Sequence, residues 1–268
     1  MCLCHAPPLR THTRRQMLRG AAAAAVAAPL LAGCDRDDWT FNLVPESQVQ
    51  ALAARSWAQL RQTVPPSQDD KRRDIVRRTA ERLLGANGQN PAAWQVELFA
   101  SPQVNAFALP GGRIGVFEGM FHVAANPAQM ATVIGHEIGH VLARHSQARM
   151  NAQAWQHLGL QIVRIALGLS DVPYSNQIAA ALGLGAEYGL LLPYSRHQEI
   201  QADRLGLLAM ATAGYDPSQA PELWRRMDQM LPQRGPTFLA THPAPATRIE
   251  ELEALVPEAR KRMPTAAG

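Results

Sequence analysis

The first two strongly patterned segments of the chain carry apolar side chains at helical spacing. Residues 46 to 62 and 69 to 85 both repeat apolar positions with the period of an α-helix. These positions are Val49, Leu52, Trp57 and Leu60 in the first segment, and Ile75, Val76, Ala80, Leu83 and Leu84 in the second. We predict two amphipathic helices, and we interpret the charged run "DDKRRDIVRR" as a solvated helix face rather than a binding patch.

The hydrophobic pattern changes after "GANGQNP". The segments "WQVELFA", "VNAFALP" and "RIGVF" are short and apolar or β-prone, and "SPQ" and "PGG" separate them. We interpret them as a small antiparallel β-meander. A helix is expected from Pro127, because Asn126 can cap it and proline is favoured in a first helical turn.

The N-terminus has the pattern of an export signal. Residues 1–33 join the basic stretch "THTRRQMLRG" to the apolar run "AAAAAVAAPLLAG". Small residues directly before Cys34 are typical of bacterial lipoprotein signals, so Cys34 is expected to be the first mature residue and to be acylated. Twin-arginine export, through Arg14 and Arg15, and Sec export both stay open. Residues 34–45 are predicted to form a lipidated tether, and residues 46–268 a single domain.

Removal of this signal changes the charge of the chain. The full sequence has 26 Lys and Arg against 22 Asp and Glu, and four of the arginines lie in the signal, leaving 22 against 22. The mature chain is then formally neutral, which argues against a nucleic acid partner. Cys2 and Cys4 also leave with the signal and Cys34 is occupied by lipid, so no disulfide forms within one mature chain.

The stretch "MATVIGHEIGHVLARHS" carries the strongest candidate chemistry. On a helix His136 and His140 share a face, and Glu137 lies about 100° away, where it reaches a water on a bound ion. This arrangement suits a zinc hydrolase, although the same letters also occur on ordinary helix surfaces. Gly135 and Gly139 each cost a helix about 1 kcal/mol relative to alanine, so we expect something to approach that face of the helix closely.

A catalytic zinc site needs three protein ligands and an open position. In "YSRHQEIQADRLG", Glu199 and Asp203 are again four residues apart. One acid can bind the metal, while the other orients a ligand histidine through its second ring nitrogen. The alternative is a surface helix with scattered acids.

Four motifs together resemble the M48 family of zinc metallopeptidases, in its periplasmic lipoprotein branch. They are "NAFALPGGRIGVFEGM" (105 to 120), "HEIGH" (136 to 140), "SRHQEIQAD" (195 to 203) and "THPAPATRI" (241 to 249). The resemblance implies one zinc ion per chain and a mainly helical, zincin-type α+β domain with the meander beside the HEIGH helix. It implies these roles: His136, His140 and Glu199 as zinc ligands, Glu137 as general base, and Asp203 as the partner of a ligand histidine.

In many family members the acidic motif reads E-x-E-A-D, whereas in this chain Gln201 replaces the second glutamate. Because this position lies off the ligand face, we expect little effect on zinc and, if any, an effect on substrate preference. The remaining histidines, His122, His145, His157 and His197, are interpreted as structural or surface residues.

The mechanism implied by the resemblance is attack of water on a peptide carbonyl, with Glu137 taking the proton and passing it to the leaving nitrogen. His242 has two alternatives: it donates to the developing oxyanion, or it occupies the open position of the metal and holds the enzyme latent. Arg248 is expected to orient His242 or to bind substrate. The simpler alternative for both is a helix cap followed by a surface arginine.

Substrate is expected to bind as an added strand along an exposed edge near the metal. The candidate residues are Asn105, Ala106, Phe107, Ala108 and Leu109, for which a purely structural hairpin is the alternative. The apolar segments "WQHLGLQIVRIALGL" and "IAAALGLGAEYGLLLP" are too interrupted by polar residues to span a membrane. We predict buried helices or a lid there, with "GLSDVPYSNQ" as a gating loop.

Two functions are consistent with these patterns. The favoured one is an envelope endopeptidase that cuts misfolded or unassembled proteins, because a strand edge recognises backbone. The alternative is a latent zinc-containing holdase or outer-membrane assembly factor. An intact Glu137 favours the enzyme, since a scaffold needs no general base. The predicted location is the periplasm, with Cys34 lipid in the inner or outer membrane. We find no 34-residue repeat, so a stand-alone protease domain is expected, with its oligomeric state left open.

Overall fold

The two amphipathic segments form helices, as their periodicity predicts. In this computed structural model they are α1, Glu46–Thr63, and α2, Asp70–Ala86. Helix α2 begins where the Asp69 side chain accepts a hydrogen bond from the backbone N–H of Arg72. Its charged run lies on the solvent side, where Arg77 pairs with Asp74 and Glu81. The interpretation of this run as a solvated face agrees with the structure.

The structure describes residues 44–152, 194–231, 238–242 and 246–264. All of them belong to one compact unit, residues 42–154 and 185–268. The other described elements are a 3₁₀ turn at Pro91–Ala93, strands β1 (Gln95–Phe99), β2 (Ala106–Leu109) and β3 (Arg113–Phe117), and helices α3 (Met120–Val123), α4 (Pro127–Leu142), α5 (Arg196–Thr212), α6 (Gln219–Met230), α7 (Phe238–Thr241) and α8 (Ala246–Arg260). The predicted α+β class is confirmed.

The three strands form a mixed sheet with the order β1-β3-β2. The expected antiparallel meander is therefore wrong, because β3 pairs parallel to β1 and antiparallel to β2. Only β2 and β3 form a hairpin, at Gly111 and Gly112, whose φ angles are 85° and 75°. Alternating polarity predicts which face of a strand is buried, but it carries no information about strand order. As a result β2, and not β3, is an edge strand.

Helix α4 is buried almost throughout and packs directly against α5. A Cβ on Gly135 would lie 3.2 Å from the Gly206 Cα, and one on Gly139 would lie 2.8 Å from the Ala202 carbonyl oxygen. The expected close approach is thus the backbone of α5. Asn126 caps α4 by accepting a hydrogen bond from the Gln129 N–H, as predicted.

Several expectations concern residues outside those described. They are the export signal, Cys34 with most of the tether, His157, the two apolar segments and the gating loop between them, which span residues 1–43 and 153–193. Among the residues that the structure does describe, no helix is both long enough and apolar enough to cross a membrane.

Candidate metal centre

Helices α4 and α5 bring the predicted ligands together in the buried interior. The His136 and His140 Nε2 atoms are 3.0 Å apart. The two oxygens of Glu199 lie 3.4 Å from these nitrogens, Oε2 from His136 and Oε1 from His140. All three residues are 1% exposed. The close α4–α5 contact is what places the carboxylate of one helix against the imidazoles of the other.

This donor set fits a single zinc ion. Nitrogen and oxygen ligands of one tetrahedral zinc, at about 2.0–2.1 Å from the ion, lie about 3.3 Å from each other. The separations of 3.0 and 3.4 Å between the ligand atoms of His136, His140 and Glu199 match that spacing. Two imidazole nitrogens that face each other this closely share at most one proton, whereas a cation satisfies both.

His242, which directly follows α7, supplies a fourth donor atom. Its Nδ1 lies 3.2 Å from His136 Nε2 and 3.0 Å from a Glu199 oxygen. The four potential ligand atoms all lie within 4.8 Å of one another. Of the two alternatives for His242, this position corresponds to occupation of the fourth ligand place. His242 as a whole is 3% exposed, so a simple cap at the surface is excluded.

Glu137 lies between this cluster and the edge strand. Its Oε2 accepts a hydrogen bond of 3.0 Å from the backbone N–H of Ala108, and its Oε1 lies 3.3 Å from His242 Nε2. Burial raises the pKa of Glu137 above its ordinary value. A carboxylate with a raised pKa is a better proton acceptor at neutral pH, as a general base requires.

Asp203 and Arg248 contact the candidate zinc ligands: Asp203 contacts His136, and Arg248 contacts Glu199. His136 Nδ1 lies 2.8 Å from one Asp203 oxygen, and Arg248 donates to both oxygens at 2.7 and 2.8 Å. Arg248 also lies 2.6 Å from Glu199 and is fully buried, its guanidinium 4.0 Å from the centre of the Trp224 ring. The surface alternative for Arg248 is therefore excluded, and these contacts go to carboxylates rather than to a substrate. Burial would raise the pKa of Asp203, but Arg248 and His136 outweigh it and hold the pKa below its ordinary value.

His145 lies against the ring of His140, a contact that the sequence analysis did not predict. It is 3% exposed, and its Nδ1 lies 2.8 Å from His140 Nδ1. Its Nε2 lies 3.0 Å from the Gln201 side-chain oxygen. On a continuous helix the fifth residue after His140 would lie about 140° away. Arg144, with φ 56°, ends α4 in a left-handed conformation and turns the chain, so that His145 returns to His140. No glycine marks that turn in the sequence. His122 and His197 are exposed.

A cavity of about 380 Å³ opens beside the donor cluster. Strand β2 forms one wall, since the predicted substrate residues 105 to 109 all line it, together with Glu137, His242 and Tyr194. Helix α1 forms another wall through Val49, Leu52, Ala53, Ser56 and Leu60. The ring of Phe107 also packs in a cluster with Trp57, Phe99 and Phe117.

Residues 66–256 match the family model of Peptidase family M48. The chain belongs to this family. Its predicted zinc requirement agrees with the donor set, which provides for one ion per chain.

The relatives of this M48 chain include mitochondrial metalloendopeptidases and a beta-barrel assembly-enhancing protease. Mitochondrial metalloendopeptidase OMA1 of Schizosaccharomyces pombe is 36% identical over 192 residues, which cover 71% of this chain and 55% of the relative. The OMA1 protein of Arabidopsis thaliana is 38% identical over 160 residues, 60% of this chain and 31% of the relative. Beta-barrel assembly-enhancing protease of Yersinia pestis is 28% identical over 200 residues, 72% and 40% respectively. The chain thus matches about half, or less, of each relative's length.

Proposed function

We propose that this protein is a zinc-dependent endopeptidase that cuts protein chains held in an extended conformation. The hydrogen bond from the Ala108 N–H to the Glu137 carboxylate carries this proposal, since it joins the general base to an edge strand. The proton acceptor and the backbone that would pair with a peptide meet in one cavity, directly beside the donor cluster.

His136, His140 and Glu199 hold the zinc ion in this proposal. When bound, zinc supplies a Lewis acid that polarises a carbonyl and lowers the pKa of water. Glu137 takes the proton of the attacking water and delivers it to the leaving nitrogen. Asp203 keeps the proton of His136 on Nδ1, so that Nε2 faces the metal.

Substrate binds as a strand added to β2. Phe117 donates its N–H to the Asn105 carbonyl, so residue 105 pairs with β3, and the N–H of Ala108 points the other way. A peptide carbonyl that accepts from Ala108 replaces Glu137 there and frees the carboxylate for catalysis. Backbone pairing of this kind demands no particular sequence, which suits unfolded substrates.

His242 regulates access in this proposal. As a fourth donor, His242 would take the place that water and substrate need, and this would keep the enzyme latent. Displaced from the cluster, its ring is available to donate to the developing oxyanion. The position of His242 also favours a second candidate function, a latent zinc-containing holdase or assembly factor in which proteolysis is rare.

The proposed location is the bacterial envelope. The lipoprotein pattern ending at Cys34 supports it, as does a relative named as a protease that enhances β-barrel assembly in Yersinia pestis. Misfolded or unassembled envelope proteins are the proposed substrates. The OMA1 relatives are named as mitochondrial, so they support the peptidase and not this location.

The decisive experiment compares the zinc-loaded mature protein with its Glu137→Gln variant on an unfolded protein substrate. We expect cleavage by the wild type and loss of at least about 100-fold in the variant, because general base catalysis contributes about 10²–10⁴-fold. Equal cleavage by both would contradict the role of Glu137. Suppression of aggregation without cleavage by either protein would favour the holdase.

A further inference from the structure

Two residues beside the donor cluster have no role in the mechanism above. His145 contacts the ring of His140, and Gln201 contacts His145. We propose that His145 and Gln201 form a hydrogen-bonded arm that orients His140 and fixes the proton of His140 on Nδ1. This inference rests on the proposed role of His140 as a zinc ligand.

The protons can be placed in only one way along this arm. A ligand nitrogen must be free of its proton, so Nε2 of His140 faces the metal and Nδ1 carries the proton. His140 Nδ1 then donates to His145 Nδ1 at 2.8 Å.

His145 consequently carries its own proton on Nε2, because its Nδ1 is already an acceptor. That proton is donated to the carbonyl oxygen of Gln201 at 3.0 Å. An amide oxygen only accepts, so it ends the chain of donors without a conflict. The direction of every hydrogen bond in the arm follows from the requirement that His140 Nε2 be free.

The backbone supports this reading of His145. Arg144 adopts the left-handed conformation at φ 56°, which is unfavourable for a residue with a Cβ. Strain of this kind concentrates at functional sites, where the surrounding structure maintains it. Here the turn brings the His145 and His140 ring centres to 4.9 Å. The Tyr194 ring stacks on the His140 ring with their centres 4.0 Å apart. Tyr194 therefore contacts the face of the His140 ring, while His145 contacts its edge.

The two ligand histidines are therefore oriented by arms of different character. His136 donates to Asp203, a carboxylate paired with Arg248, whereas His140 donates to a neutral imidazole that ends on a neutral amide. Under this proposal Gln201 affects zinc binding, whereas the sequence analysis expects little effect. The Gln201 side chain is connected to the ligand His140 through one residue, His145.

Zinc affinity, measured by chelator competition on the mature full chain, tests the arm without relying on activity. His145→Phe keeps an aromatic ring but removes the acceptor, and we expect zinc to bind about 10–100-fold more weakly. His145→Asn places an amide oxygen near the former Nδ1, and we expect it to recover most of that loss. His122→Phe, at an exposed histidine, serves as the matched control and binds zinc as the wild type does.

Cobalt substitution gives a second readout, since its visible spectrum reports the geometry of the ligands. We expect an altered spectrum for His145→Phe and a wild-type one for His145→Asn. Wild-type affinity in His145→Phe, or an equal loss in His145→Asn, would overturn the arm. A wild-type protein that binds no zinc would instead refute the proposed ligands.

If His145→Phe does not fold, a variant of Gln201, at the end of the arm away from His140, still tests the inference. Gln201 is exposed as a whole, so Gln201→Leu should leave the thermal unfolding of the metal-free protein unchanged. We expect it to weaken zinc binding several-fold, whereas Gln201→Glu, which retains an acceptor oxygen, should not. Equal affinities for Gln201→Leu and wild type would count against Gln201 as part of the arm.

Discussion

Gly139 of α4 lies against Ala202 of α5 with no room for a side chain between them, since an added Cβ would approach the Ala202 carbonyl oxygen to 2.8 Å. This contact sets the distance between the helix that carries His140 and the helix that carries Glu199. The glycine is thus part of the metal site, although it has no side chain with which to touch an ion.

Gly139→Ala should therefore destabilise the protein and weaken zinc binding together. Overpacking of this kind costs about 1–3 kcal/mol in free energy of unfolding, and it separates the ligands of the two helices. Urea denaturation and chelator competition measure the two effects. Gly85→Ala is the matched control, because nothing lies within 4 Å of its added Cβ. That variant should be neutral or stabilised by up to about 1 kcal/mol. A stable Gly139→Ala variant would show that the helices do not need this contact.

Arg248→Met should destabilise the protein by about 3–5 kcal/mol at neutral pH, because it removes the cation that pairs with the buried carboxylates of Asp203 and Glu199. Asp203 has a lowered pKa in the folded protein, so its ion pair contributes stability above the ordinary Asp pKa and loses it as pH falls. The difference between Arg248→Met and wild type should accordingly shrink at acidic pH. Urea titrations at pH 7 and at about pH 3, below the ordinary Asp pKa of about 3.9, measure it, and a difference that grows with acid would contradict this assignment.

Spacing in the sequence predicted the part of the site that regular helices present. His136 and His140 share a face because α4 is continuous across them, and Glu199 and Asp203 do so because α5 is. His145 lay beyond reach of this argument, since its direction depends on Arg144, a left-handed residue that is not glycine. The burial of Arg248 could not be predicted from the sequence either, because a fully buried guanidinium depends on partners from distant elements.

The sheet shows a second limit of prediction from patterns. The apolar segments correctly indicated three strands, and "PGG" correctly indicated the β2–β3 turn. The order of the strands in the sheet depends instead on tertiary contacts with other parts of the chain. The aromatic cluster of Trp57, Phe99, Phe107 and Phe117 links α1 to all three strands, and no local period encodes such contacts.

Zinc affinity should rise with pH through the neutral range. Burial alone would lower the pKa of His136, but Asp203 and Glu199 outweigh it and raise the pKa to about 9 in the metal-free protein. Below pH 9 zinc must displace that proton, so affinity should rise about tenfold per pH unit between pH 7 and 9 and then level off. Chelator competition across this range measures the slope. Asp203→Asn removes one of the two charges, so its slope should flatten at a lower pH. A wild-type affinity independent of pH would refute the raised pKa.

Leu52 and Met230 are the large hydrophobic side chains that stand exposed among the described residues, at 37% and 51%. Leu52 lines the cavity beside Glu137, whereas Met230 ends α6 and is not among the lining residues. We infer that the apolar face of α1 receives an apolar side chain of a peptide bound along β2. The two residues form a natural pair for a test, because both changes replace an exposed apolar side chain.

Leu52→Gln should lower kcat/KM about fivefold for a peptide with leucine near the cut bond, since about 1 kcal/mol of apolar contact is lost. It should leave a peptide with serine at that position almost unchanged. Met230→Gln should alter neither value. Fluorogenic peptide pairs that differ only at this residue measure the ratio. If Leu52→Gln lowered kcat/KM equally for both peptides, the substitution would affect the general activity of the enzyme. The apolar wall formed by α1 would then have no part in selecting substrate.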